Sequence, residues 1–513
     1  MYRDIVNFLR LVAIGRTVAR YDLLDWFRVA PPLRLAIRLA GGHADPAKSV
    51  LRPGQRLAAA LQEMGPTFIK LGQSLSTRPD FVGDDVADDL AELRDKLPPF
   101  PADQARALVA SEFDAPLESL FQSFDDVPVA AASIAQVHYA ITIEGAEVAV
   151  KLLRPGIERR FAQDVALLTW MAEWAERLRP RMRRLRLTTS VRNFEAAVGR
   201  EMDLRFEAAA AAELANNFQG DPGFIIPGVD WQRTSRRVLT LERIQGIPID
   251  RTDEIAAAGI DLTHVVELAA DAFFKMVFRD GFFHADLHPG NLFVGPTGEI
   301  IAVDFGITGR LDRKTRHFLG ELLLGFLNRD FHRVAQIHFD AGIVPADQNV
   351  DLFTQAVRSI AEPILGRPMH EISVARLLGQ LFEVSRNFKL EAQPQMLLLQ
   401  KTMLVAEGVG RKLNPDVNMW SLARPLIEDW MADNLGPRAK VRESVGKLLE
   451  TIENLPRLVK NFEHMTETLR GGGVHLHPDS VKAIEGSRRQ GGLFPMWVPW
   501  ILAAILAYLL IRR

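Results

Sequence analysis

Residues 284 to 291 read His284-Ala285-Asp286-Leu287-His288-Pro289-Gly290-Asn291, and Asp304-Phe305-Gly306 follows shortly after. An aspartate, an amide five positions later, a short hairpin and a second aspartate are the parts that phosphoryl transfer needs. One carboxylate must take or orient the acceptor's proton. Hard oxygen ligands must hold Mg²⁺ and still leave room for triphosphate oxygens. Asp286 suits the first task, Asn291 and Asp304 the second. Each piece is common alone, but together, in this order and spacing, they make chance a poor account. A zinc site at His284 and His288 is the rival reading. It is weaker, because the two histidines straddle Asp286 in a turn ending Pro-Gly and no third ligand is evident.

A centre of this kind sits in the larger lobe of a kinase-like fold, so a nucleotide-gripping lobe has to precede it. Val148-Ala149-Val150-Lys151 reads as the strand that brings a lysine to the α- and β-phosphates. The lysine needs a carboxylate partner on a helix. Glu207, at the end of Glu201-Met202-Asp203-Leu204-Arg205-Phe206-Glu207, is the candidate. Four-residue spacing places Asp203 on the same helix face as Glu207, with Glu201 pointing elsewhere. Where kinases carry Gly-x-Gly-x-x-Gly-x-Val, this chain has Ala130-Ala131-Ala132-Ser133-Ile134-Ala135-Gln136-Val137, with Ala130, Ala132 and Ala135 in the glycine positions. Each methyl bars positive φ and the closest approach to phosphate. The loop is therefore expected to bind nucleotide more weakly or with inverted preference, without losing the site.

The elements that must position these residues follow from texture. Val137 to Tyr139 and Val148 to Leu153 form β-rich runs joined through Glu144-Gly145, an antiparallel hairpin. Phe161 to Leu178 and Asn193 to Phe218 are helical by apolar period and alanine content, and Arg237 to Arg243 is a strand. Asn291 to Val294, Gly295 to Gly298 and Glu299 to Val303 read as strand, turn, strand, and helices continue to about Arg470. The fold class is α+β, a bilobal protein-kinase-like fold with a helical extension before it. The expected divisions are an amphipathic helical segment over 1–45, a helical extension over 46–125 and a small β-containing lobe over 126–246. A helical lobe over 247–470, a linker over 471–492 and a transmembrane anchor over 493–511 complete the chain. After Asp304 the chain passes almost directly from Ile307–Asp312 into a helix over Thr315 to Leu327, with no Ala-Pro-Glu and no long activation segment. Those features build a peptide platform, so their absence points to a small or lipid-like substrate, or to water.

Composition narrows the classes. The 513 residues are 48% hydrophobic and 25% charged, with a net charge of −2, which gives no global basic field for nucleic acid. Cysteine is absent, removing disulfides, thiol nucleophiles, iron–sulfur clusters and thiolate zinc. The opening residues mix Ile5, Val6, Phe8, Leu9 and Val12 with Arg3, Arg10, Arg16 and Arg20. That is no secretory signal; an amphipathic helix on a membrane surface and a helix packed on its own domain both fit. Six arginines lie within Arg177 to Arg186, a solvated face or a contact for anionic lipid or nucleotide. Leu493 to Ile511 runs 19 residues without a charge, about 28 Å of helix, close to a hydrocarbon core of about 30 Å.

Taken together, the chain resembles the UbiB family of atypical protein-kinase-like proteins. The alanine loop, Lys70-Leu71-Gly72-Gln73 (family pattern Lys-x-Gly-Gln), Glu201-x-Asp203, the 284–291 segment and Asp304-Phe305-Gly306 match in order. The resemblance implies that Lys70 and Gln73 cover the nucleotide site near Glu201 and Asp203 in a regulatory role. It further implies that Lys151 pairs with Glu207, and that Asp286, Asn291 and Asp304 serve as base and metal ligands for ATP (or ADP) and Mg²⁺. It implies a membrane-anchored atypical kinase or ATPase required for ubiquinone (coenzyme Q) biosynthesis, working on polyprenyl-phenol or quinone intermediates alongside other enzymes of that synthesis. The inner (cytoplasmic) membrane is the implied location, with the catalytic domain on the cytoplasmic side together with Arg488 and Arg489. Similar chains labelled 2-polyprenylphenol 6-hydroxylase carry that name as a pathway assignment, since no flavin turn, cysteine or iron-binding set supports oxygen chemistry here. Family members often end in two closely spaced membrane segments, and this chain shows one. Two other readings stand beside the first: a small-molecule or lipid kinase, and a nucleotide-binding pseudokinase scaffold of a biosynthetic complex.

Overall fold

The structure is a computed structural model. It describes residues 2–365 except 28–30, 49, 77–81, 92, 94–96, 179–182 and 184–185, and beyond them 380, 384, 387, 388, 390, 394–417 and 419–435. Residues 1–431 form one unit, and 432–513 another, of which only the first four residues, the end of a helix, are described. The linker and anchor expected over 471–511 therefore lie outside the described residues. Among the described helices none is long and apolar enough to cross a membrane.

Among the described residues the chain opens with helices α1 (Tyr2–Arg20), α2 (Pro31–Leu39), α3 (Pro53–Met64), α4 (Pro66–Ser76) and α5 (Asp84–Ala91). Proline at the first turn of α2, α3 and α4 suits a position where the missing N–H loses no helical bond. Leu57, Ala60, Leu61, Ile69 and Leu90 bury their side chains in a common core with Leu23. Gly72 of α4 is part of that packing, since a Cβ there would stand 2.6 Å from Leu93 Cδ1 and 2.8 Å from Leu61 Cδ1. Leu71, beside it, reaches both this core and the core of the small lobe.

The small lobe is a five-stranded antiparallel sheet of β1 (Phe121–Phe124), β2 (Ala130–Ala131), β3 (Ala135–Thr142), β4 (Glu147–Leu153) and, after three helices, β6 (Val238–Glu242). Its path is β1-β3-β4-β6, with β2 also paired to β3. The sheet begins at residue 121, ahead of the expected lobe start at 126. The preceding helix α6 (Ala102–Phe113) covers one of its faces through Ala105, Leu108 and Val109. On β4, Val148, Val150 and Leu152 point into that layer, and strand alternation sends Lys151 to the opposite face. Val150 and Leu152 are fully buried, each worth roughly 1.5–3 kcal/mol of apolar transfer. That opposite face packs against α7 (Ile157–Leu178), α8 (Leu187–Glu201) and α9 (Leu204–Asn217). The continuous helix expected over 193–218 is thus two helices, broken at Met202-Asp203. Asp203 has extended backbone and its carboxylate caps α9 by accepting from Arg205 N.

In the large lobe β7 (Ile247–Pro248) follows β6, and β5 (Phe224–Ile225) joins β7, β9 (Leu292–Val294) and β10 (Ile300–Ala302) in a sheet ordered β5-β10-β9-β7. Ile300 faces Val294 and Ala302 faces Leu292, the hairpin that separates Asn291 from Asp304. β8 (Phe282–His284) pairs with β11 (Thr308–Arg310), bringing the histidine segment alongside the residues after Asp304. Helices α10 (Thr252–Ala257), α11 (Leu262–Phe274), α12 (Arg313–Leu327), α13 (Phe331–Asp340), α14 (Val350–Ala361), α15 (Pro394–Leu413) and α16 (Met419–Leu435) complete the described part. Phe283, Phe305, Leu292 and Leu399 of α15 share its core. Trp430 Nε1 donates to the Phe278 carbonyl at 2.8 Å, tying α16 to the segment before β8.

Candidate active site

Lys151 ends up between two carboxylates. Its Nζ donates to Glu207 Oε1 at 2.8 Å, Glu207 Oε2 at 3.0 Å and Asp304 Oδ1 at 3.0 Å. Strand β4 sets the lysine, the first turn of α9 sets Glu207, and the turn after β10 sets Asp304. Burial opposes the lysine's charge, but Asp304 and Glu207 outweigh it and hold the ammonium well above its ordinary range. One cation cannot fully satisfy two anions. Burial would raise both carboxyls, yet Lys151 holds Asp304 far below the usual carboxylate range, with help from the charge of Lys70. Glu207, more deeply buried and facing Asp304 as well, is pushed up to about 7. Gly306 lies close to the cluster: a Cβ there would stand 3.3 Å from Asp304 Oδ1, a tight approach, and 3.9 Å from Glu207 Oε2, an ordinary contact. Asp304 itself has φ +60°, a left-handed backbone that non-glycine residues adopt at a cost of about 1–3 kcal/mol.

The 284–291 turn is wired from within. Asp286 N donates to His284 Nδ1 at 3.1 Å, so that nitrogen is the acceptor, and Nε2–H donates to the Val303 carbonyl at 3.1 Å. Burial lowers the pKa of His284, which keeps the ring neutral in that tautomer. Both nitrogens are spent on backbone, so the zinc reading has no ligand there. His284 instead joins the Asp286 backbone to the residue before Asp304. Asn291 Nδ2 donates to the Asp286 carbonyl at 3.0 Å, leaving its oxygen as the end available to a cation. Asn291 Oδ1 and the ionised Asp304 carboxylate are hard oxygen donors of the type Mg²⁺ takes when phosphates complete its shell, so the residues fit that ion.

The alanine segment is shaped by what lies beneath it. Ala130 and Ala131 pair with Val137 and Gln136, and Ala132 N donates to the Ala135 carbonyl at 2.8 Å. Ser133, Ala135 and Gln136 are buried, so their side chains are turned away from solvent. Gln136 Oε1 accepts from Phe100 N at 2.9 Å, and Nε2 donates to the Phe100 carbonyl and to His138 Nε2. Gln136 is therefore a clamp on the segment entering α6, which its place in the motif did not announce. Arg154 is a second clamp that sequence reading passed over. Its guanidinium donates to the Ala132 carbonyl at 2.9 and 3.1 Å and to the Leu97 carbonyl at 3.4 Å.

Lys70 of α4 forms a mostly buried ion pair with Glu201 at 2.8 Å, joining the helical extension to the end of α8. Asp203 does not share a helix face with Glu207, because it caps the helix on which Glu207 lies and holds Arg205 through both oxygens. Half-buried Gln73 sits one turn along, its carbonyl accepting from the Ser76 hydroxyl at 2.8 Å. Lys401 of α15 was also passed over. Its Nζ lies 3.2 Å from Asp286 Oδ1, while His288 Nε2 is 3.8 Å from Oδ2. Its only signal was one lysine inside the apolar run Met396-Leu397-Leu398-Leu399-Gln400-Lys401-Thr402-Met403-Leu404.

Residues 92–338 match the model of the ABC1 atypical kinase-like domain, and residues 357–418 match that of the UbiB helical domain. A Marinobacter nauticus protein named "Probable protein kinase UbiB" is 41% identical over 471 residues, covering 90% of this chain and 86% of its own length. Proteins of the same name from Azotobacter vinelandii and Pseudomonas aeruginosa are 41% and 37% identical, covering 98% and 99% of this chain and 98% and 100% of theirs. A solved Mycobacterium tuberculosis protein in complex with erythromycin is 25% identical with a TM-score of 0.50, covering 72% of this chain and 93% of its own.

Proposed function

The chain belongs to the UbiB family of atypical kinase-like proteins, and from that premise we propose that it uses Mg²⁺-ATP in support of ubiquinone biosynthesis. The observation that carries the reading is the cluster of Lys151, Glu207 and Asp304, with Asp286 and Asn291 hydrogen-bonded to each other beside it. Lys151, fixed by Glu207, binds the α- and β-phosphates. Asn291 and Asp304 would hold Mg²⁺, which when bound would supply positive charge to the nucleotide's phosphate oxygens. Asp286 orients the attacking oxygen of water or a hydroxyl and accepts its proton. His284 fixes the Asp286 backbone so that the carboxylate meets the acceptor at a defined place.

The site serves a membrane-anchored protein in this reading, with the catalytic unit facing the cytoplasm at the inner membrane. The uncharged run over 493–511 supports it, as do Phe8, Leu9, Leu35 and Leu39, exposed among arginines on α1 and α2. ATP turnover would give soluble enzymes of ubiquinone synthesis access to polyprenyl-phenol intermediates held in the bilayer. Quinone profiling after deletion and complementation tests this. Asp304→Asn should abolish Mg²⁺-ATP turnover and quinone production while leaving membrane location intact. Quinone production that survives the substitution overturns the reading. The direct passage from β11 into α12, with no peptide platform, supports a second reading, a lipid or small-molecule kinase. Labelled ATP with a lipid extract separates the two: a stable phospho-lipid supports the second, free phosphate alone the first.

A further inference from the structure

The 284–294 segment contains no lysine or arginine, so the turn that carries the base supplies no permanent cation for the transferring phosphate. Yet a cation stands there. Lys401 comes from α15, 115 residues downstream of Asp286, and places its ammonium 3.2 Å from Asp286 Oδ1. The helix that carries it is anchored in the core. Leu399, Val409 and Leu413 of the same helix are buried in the core that holds Phe283 and Phe305, and Thr402, the next residue, is fully buried. α15 also packs against β11 and α11. The side chain remains 42% exposed, and its partner Asp286 27% exposed, so the pair faces open space and is not a buried strut. Lys151 is different: it is enclosed by Glu207 and Asp304 on the metal-ligand side.

We propose that Lys401 is a catalytic residue, the cation that the helical region after the kinase-like domain delivers to the γ-phosphoryl oxygens beside Asp286. The inference rests on the phosphoryl-transfer reading above and deepens it. In the step, the bond between the γ-phosphorus and the bridging oxygen of ADP breaks, and ADP leaves with the electron pair. A bond forms from the acceptor oxygen to phosphorus, and the acceptor's proton passes to Asp286. Lys401 keeps its three protons throughout and contributes charge, bridging the base to the equatorial oxygens where negative charge spreads. The ground-state nucleotide is held by Lys151, so the contribution of Lys401 belongs to the transition state.

The test uses the full chain in detergent or vesicles, with Mg²⁺-ATP as substrate and Mg²⁺-ADP as binding probe. Lys401→Met should lower kcat about 10²- to 10³-fold. KM for Mg²⁺-ATP and the Mg²⁺-ADP dissociation constant should stay within about twofold, and melting temperature should hold. Lys401→Arg, which restores charge, should recover part of kcat. A Lys401→Met chain with wild-type kcat overturns the inference. So does one in which kcat falls only in step with lost Mg²⁺-ADP binding or melting temperature, because that marks a structural pair. Wild-type turnover that Asp304→Asn does not reduce sinks the parent reading along with this inference. Turnover abolished by Asp304→Asn and untouched by Lys401→Met sinks the inference alone.

Discussion

The roof and the floor of the cleft are held by opposite means. The roof, the alanine segment of the small lobe, is clamped through backbone, where Arg154 grips the Ala132 and Leu97 carbonyls and Gln136 grips Phe100 at both polar atoms; a side-chain ion pair of Lys70 with Glu201 adds the helical extension. In the floor, neutral His284 and Asn291 tie the Asp286 backbone, while the Asp304 and Asp286 carboxylates pair with Lys151 and Lys401 and remain partly open. Clamping a roof through carbonyls limits how far it can follow a nucleotide, whereas a partly open floor leaves its carboxylates accessible to substrate. In the proposed function, the small-lobe side supplies phosphate binding through Lys151, and the floor supplies the metal ligands and the base.

The floor's share is the largest expected effect. Asp286→Asn should lower ATP turnover about 10²- to 10⁴-fold with Mg²⁺-ADP affinity within about twofold, checked by steady-state phosphate release and calorimetry. A parallel loss of nucleotide affinity would break the division of labour. On the roof, Arg154→Gln frees the Ala132 carbonyl, and the expected change is several-fold in KM for Mg²⁺-ATP with little in kcat; a kcat-only effect would contradict the comparison. Gln136→Ala strands Phe100 N beneath the roof and should destabilise the fold by about 1–3 kcal/mol in denaturant titrations, with turnover per folded molecule unchanged.

The smallest effect is electrostatic and lies at the back of the small lobe. Glu112 of α6 accepts from Ser235 and Arg237; burial opposes its ionisation, but these partners prevail and hold its pKa below the usual 4.5. A carboxyl depressed in the folded state stabilises above the unfolded value, and that stability is lost as pH falls through the folded value. Melting temperature should therefore decline on acidification below about pH 4.5, and Glu112→Gln should flatten part of that decline. Turnover should be indifferent to this substitution at neutral pH.

Much of the site was legible before the structure because its parts are local. The β3–β4 hairpin, the 292–302 hairpin and the spacing of Asp286, Asn291 and Asp304 follow from turn residues and period-two patterning. Glu207 was legible as the partner of Lys151 by type and distance along the chain. The break before α9 was not, because alanine content runs through it and the stop is made by Asp203 turning its carboxylate onto the backbone. Gln136 and Arg154 were illegible as clamps, since nothing local distinguishes a side chain that turns inward.

What the sequence determined by itself is the set of reacting groups and the strands and turns that present them, since strand alternation and turn chemistry act over a few residues. What only the tertiary structure decided is which further charges meet: Lys151 with Asp304 as well as Glu207, Lys70 with Glu201, Lys401 with Asp286. The reason is physical. An ion pair forms over a few ångströms between residues separated by 56 to 153 positions, and only the packing of the intervening cores brings them within reach.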